Sequence, residues 1–84
     1  MKYLIVIEKA RNGFSAYSPD LPGCVAAAKT RLGVERLMKS AISIHLEGLR
    51  AKRRRIPVPR SSASYWEAPT KRIGGSARAR SRRA

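Results

Sequence analysis

The carboxylates come first, because paired acids are what a hydrolase of this size would need. There are five: Glu8, Asp20, Glu35, Glu47 and Glu67. Two-metal cleavage requires several carboxylates converging on one site. Only Glu8, on a predicted strand, and Glu47, late in a predicted helix, invite pairing, and no third acid joins them. They read as ordinary surface charge. His45 is the sole histidine, so no Ser-His-Asp or Cys-His arrangement can be built, and its place in an apolar helical stripe makes it a core-edge histidine. Cys24 is the sole cysteine; it cannot close an intrachain disulfide, belongs to no zinc-spaced pair, and reads as a small buried apolar residue. Gly74-Gly75 has neither a strand before it nor a helix after it, and so fails as a phosphate-binding loop. The expectation is a protein that is not an enzyme and that carries no metal and no cofactor.

The cations are the other chemistry. Nineteen Lys and Arg stand against five Asp and Glu, for a formal charge of +14. Residues 1–49 hold seven basic and four acidic groups, and residues 50–84 hold twelve and one, so +11 of the excess lies in the last 35 residues. Like charges in blocks repel, resist packing and meet polyanions. The run Lys52, Arg53, Arg54, Arg55 has two readings: phosphate contact, or solvated cations favoured by the dipole at a helix C-terminus. With Arg78, Arg80, Arg82 and Arg83, these four residues are the expected nucleic-acid contacts.

What must position these groups is a small α+β domain organised on one corner. In YSPDLPGC, Tyr17 to Cys24, Pro19 ends a strand, Asp20 can bond its own downstream backbone, and Pro22-Gly23 suits the centre of a type II turn. Before the corner, Lys2 to Lys9 reads as a first strand, apolar on both faces through Ile7 and therefore expected at the centre of its sheet. Asn12-Gly13 is the pair that accepts positive φ in a type I′ turn, so Phe14 to Ser18 folds back antiparallel. After the corner, Val25 to Ala28 is a short third strand, either an edge or a place of close backbone approach.

Thr30 is the expected N-cap of a helix reaching about Arg50, with Val34, Leu37, Met38, Ala41, Ile42, His45 and Leu49 on one side. Gly33 stands where a capping box wants Glu or Gln. Beyond the helix, Ile56 to Arg60 is Pro-punctuated and extended, and Ser64 to Ala68 is expected to add a fourth strand whose Trp66 fills a core or an interface. The domain spans residues 1–68. Residues 69–84 have almost no apolar content and read as a disordered basic tail.

A chain of 84 residues buries only about 60% of its unfolded surface. One helix covers one sheet face, yet Tyr3 to Ile7 offers apolar side chains to both. A homodimer or a different partner is therefore expected on the second face. The apolar run before Glu8 is five residues, too short for an export signal or a membrane span, and the chain reads as soluble and cytoplasmic.

The runs MKYLIVIEK, NGFSAY, PDLPGC, KT, IHLEGL and IPVP, in that order over Met1 to Ala68, resemble the HicB antitoxins of bacterial and archaeal toxin-antitoxin pairs. The resemblance implies a truncated RNase-H-like β-β-β-α-β fold, with the last strand beside the first and the nuclease carboxylates missing. It also implies a role: HicB-like proteins bind HicA, a small mRNA interferase with a double-stranded-RNA-binding fold, and block it. Many also repress their own operon through a C-terminal helix-turn-helix or ribbon-helix-helix domain, for which nothing after Ala68 has the periodicity. Family members tend to carry acids early in the helix and after it, where this chain has Leu32-Gly33 and the KRRR run. Contact with a basic toxin would then need a local, neutral surface. The alternative function is a non-specific nucleic-acid-binding module acting through the basic C-terminal half.

Overall fold

Local chemistry accounts for most of the architecture. A computed structural model describes residues 1–70, in which three antiparallel strands, β1 (Val6–Ala10), β2 (Gly13–Tyr17) and β3 (Val25–Ala28), precede one helix, α1 (Arg31–Ala51). The sheet order is β1-β2-β3, so the class is α+β as expected. Pro19 stops β2, leaving residues 2–5 without a ladder partner, and the first strand begins at Val6 rather than Lys2. It is also an edge strand, not the central one. Ser18 extends the pairing by a side-chain route, its buried hydroxyl donating to the Leu4 carbonyl at 2.8 Å.

The β1–β2 hairpin forms, with its turn displaced by one residue from the expected centre. Ala10 pairs with Gly13, which puts Arg11 and Asn12 at the turn centre. Neither has positive φ, so this is not the mirror-image turn. Gly13 serves a different need: at φ +155° it runs so close to β3 that a Cβ would lie 2.4 Å from the Ala28 carbonyl oxygen. Thus β3 is both an edge and a site of close backbone approach.

The corner consists of two successive turns, closed by Leu21 N–H donating to Ser18 O and Cys24 N–H donating to Leu21 O, each at 3.1 Å. Pro22 and Gly23, the latter at φ +92°, occupy the centre of the second turn as a type II turn requires. The corner tucks Leu21 fully out of solvent, where it joins Ala16, Cys24, Val34 and Met38 as the core. Ile5, Ile7, Phe14, Ala26, Ala28, Ile42 and Leu46 pack around them.

Thr30 caps α1, its Oγ1 accepting from Gly33 N–H at 2.9 Å. Gly33 fits tightly, since a Cβ there would sit 2.9 Å from that same oxygen. The 21-residue helix is ~31 Å long at ~1.5 Å per residue, about twice the length of these strands, and it packs on the core as far as Leu46, so its last turn runs past the sheet. The expected stripe is corrected at two positions: Leu37 is 48% exposed, and Leu46 packs on the core in its place. After the helix no strand forms among the described residues. The expected strand over 64–68 fails because nothing pairs with it, and Tyr65 and Trp66 stand 97% and 80% exposed, so Trp66 fills no core. The tail from residue 71 lies outside the described residues.

Candidate functional site

Period-two alternation sorts the sheet into two faces. Ile7, Ala16 and Ala26 lie in one row across the three strands and face α1. The next row, Val6, Tyr17 and Val25, is also in register and points the other way. No described element covers it: Tyr17 is 41% and Val25 66% exposed. Alongside runs the row Glu8, Ser15 and Ala27, whose single carboxylate is the only charge in either row. The result is a flat apolar strip of valine, tyrosine and valine. Such a surface can dock a partner by desolvation.

The acids do not converge. Glu8 lies on the open sheet face, while Glu47 is exposed on the helix packed against the opposite face. Among the described residues no three His, Cys, Asp or Glu side chains are grouped to hold a metal. His45 is half-buried beside Leu49, and burial raises the pKa of the Cys24 thiol above its ordinary value.

Asp20 behaves unlike its sequence reading. Its carboxylate does not bond its own downstream backbone; Oδ2 accepts from the N–H groups of Arg60 at 3.0 Å and Ser61 at 2.9 Å, and Oδ1 from the Ser61 hydroxyl at 3.0 Å. Those bonds, Ser61 N–H foremost, hold its pKa below the ordinary carboxylate value. Tyr3 makes a second tie, its hydroxyl donating to the Pro57 carbonyl. Together they lay residues 57–63 beside the chain entering β1, with a groove of about 380 Å³ between the two. The family resemblance implies a last segment beside the first, and the structure keeps that neighbourhood without a strand; the Asp20 and Tyr3 contacts that hold it have no local pattern in the sequence.

The expected nucleic-acid contacts divide. Lys52, Arg53, Arg54 and Arg55 are all exposed at the end of α1. There they form a Schellman cap: Arg53 N–H donates to Arg50 O at 3.0 Å, Arg54 N–H to Leu49 O at 2.8 Å, and Arg53 adopts φ +55°. Glycine is the usual residue at that left-handed position, so the run is a structural cap as well as a cluster of charge. Arg78, Arg80, Arg82 and Arg83 lie outside the described residues.

Sheet, helix and open apolar row together define a small α+β domain with one uncovered sheet face, and the comparisons name its family. Residues 3–73 match the family described as the HicB-like antitoxin of bacterial toxin-antitoxin systems. The chain belongs to that family. An uncharacterized 14.9 kDa protein in the rep-hol intergenic region of Haemophilus phage HP1 is 35% identical over 69 residues, covering 82% of this chain and 52% of that one. This chain therefore spans about half the length of the phage relative. The UPF0150 protein Ta0767 of Thermoplasma acidophilum is 34% identical over 58 residues, or 68% of this chain and 84% of its own. Among solved structures, a chain of the HicA3 and HicB3 toxin-antitoxin complex is 29% identical with a TM-score of 0.58, covering 70% of this chain and 72% of that chain. Among the described residues no helix is long and apolar enough to cross a membrane.

Proposed function

We propose that this protein is the antitoxin of a type II pair and that it binds a HicA-like mRNA interferase, blocking it sterically. The observation that carries the reading is the likeness to a chain of the HicA3 and HicB3 complex. The Val6–Tyr17–Val25 row supports the reading as an uncovered apolar surface on which such a partner would dock. Both partners of such a pair would be basic, and a chain of +14 meets a cationic partner best where its own surface is neutral. The row carries no charge, and the basic cap sits at the far end of a helix on the opposite face.

A second reading rests on Lys52–Arg55. All four are exposed, and with the expected contacts Arg78, Arg80, Arg82 and Arg83 they would neutralise phosphates without reading sequence. One experiment separates the two. Tagged protein is co-expressed with a HicA-like toxin and purified at moderate salt, with and without nuclease, and the complex is assayed for RNA cleavage. The antitoxin reading expects a stoichiometric, nuclease-resistant complex with cleavage suppressed, and at least tenfold weaker binding in Tyr17→Glu. Retention of nucleic acid alone, lost with salt, would establish the second reading in place of the first.

A further inference from the structure

Beside its buried stripe, α1 carries a second apolar line that no described residue covers fully. Leu37, Ala41, Ile44, Gly48 and Ala51 follow one another at spacings of four, three, four and three, the interval that keeps residues on one seam of a helix. At ~100° per residue they fall within an arc of about 80°, adjacent to the buried arc of Val34, Met38 and Ile42 and distinct from it. Most of this line faces solvent: Leu37 is 48% and Ile44 69% exposed, Gly48 and Ala51 are exposed too, and Ala41 is half-buried. Around Gly48, apart from its chain neighbours and its own helix backbone, no described atom lies within 4 Å of where a Cβ would project.

We infer that this seam is an isologous interface between two copies of the chain, their helices packed antiparallel. The order of sizes is what selects a second copy over any other partner. Leu37 and Gly48 are equidistant from the point midway between Ile42 and Ser43, and so are Ala41 and Ile44. A twofold axis through that point sets Leu37 of each copy over Gly48 of the other, and Ile44 over Ala41. Every large side chain meets a small one, which is how facing helical layers interdigitate at close range. A parallel pairing would instead stack Leu37 on Leu37 and leave glycine against glycine.

Charge agrees with the same axis. Arg36 and Glu47 flank the seam on one side, and in the antiparallel pair each Glu47 lies within about 3 Å, measured along the axis, of the level of Arg36 in the other copy. That makes two opposite-charge pairs from residues that form no ion pair among the described residues of one chain, where Arg31–Glu35 is the salt bridge. The cap cations are kept apart as well. Lys52 of one copy stands ~28 Å along the axis from Lys52 of the other, well beyond a Debye length of ~8 Å at physiological salt. In a parallel pair the two KRRR clusters would lie side by side. The seam does not overlap the Val6–Tyr17–Val25 row, so a dimer built on it leaves the open sheet face free.

Sedimentation equilibrium of the full chain, from micromolar to near-millimolar concentration, tests the interface. The wild type is expected to show reversible monomer–dimer behaviour. Gly48→Leu fills the recess that receives Leu37 and replaces a poor helix former with a good one, so it is expected to keep the fold by circular dichroism and weaken dimerisation at least tenfold. Glu47→Arg is expected to weaken it about threefold to tenfold, and adding Arg36→Glu to restore it. A wild type monomeric throughout overturns the proposal. So does a dimer unchanged by Gly48→Leu, or one abolished by Tyr17→Glu, which would move the interface to the sheet.

Discussion

Two stretches of this chain are punctuated by paired prolines, and they do opposite things. In residues 18–24, Pro19 and Pro22 are three apart, each in the second position of a turn that a later N–H closes. The loop satisfies its own backbone and drives Leu21 into the core. In residues 56–61, Pro57 and Pro59 are two apart: Pro59 has no N–H with which to close a turn begun at Ile56, and Arg60 and Ser61, which could close the next two, give their N–H groups to Asp20. That stretch stays extended, and it is held from outside, by Asp20 and Tyr3. The same residue type builds a self-sufficient element at one spacing and a dependent one at another.

The sharpest way to break this contrast is Leu21→Ala. Leu21 is completely buried in a core of five small and medium side chains, and its truncation is expected to cost about 2–5 kcal/mol, enough to unfold much of the population at room temperature. Urea denaturation followed by circular dichroism reads the loss. A smaller effect of opposite sign belongs to Arg53→Gly, at the cap from which the dependent stretch departs. Relieving an arginine at φ +55° is expected to stabilise the helix end by about 1 kcal/mol, seen as a raised denaturation midpoint. A drop would mean that the arginine side chain contributes more than its backbone strain removes.

Smallest in energy, and the most selective, is the response to acid. Asp20 has a folded pKa below its unfolded one, so its contribution is complete above the ordinary value of 3.8 and is lost as pH falls from there through the folded value. Residues 60–61 are expected to come away while the corner persists. In an NMR titration the Ser61 amide should move first and the Leu21 and Cys24 amides should hold; if all three moved together, the two stretches would form one cooperative unit.

Much of the fold was legible because it is local. The Thr30 cap, the hairpin, and the two turns at Pro19 and Pro22 each rest on residues within a few positions of one another. What escaped was decided at a distance. Periodicity placed Leu37 inside and passed over Leu46, because an apolar surface this wide can turn either flank to a sheet, and only the position of the strands chooses. The turn centre shifted by one residue because Gly13 is required for its approach to Ala28, forty-five atoms of backbone away. The open face followed from the apolar run Tyr3 to Ile7, but its members did not, since the row of Val6, Tyr17 and Val25 is a property of register. Asp20 was seen as a turn former, whereas its partners lie forty residues on.

That last contact has a mechanical consequence. By joining Asp20 to Arg60 and Ser61, the carboxylate closes a ring of chain that contains β3 and the whole of α1. Tension applied anywhere beyond Ser61 is borne first at this clasp, and the helix feels no load until it opens. Unravelling from that side therefore starts at a carboxylate on the surface and not by fraying of the helix.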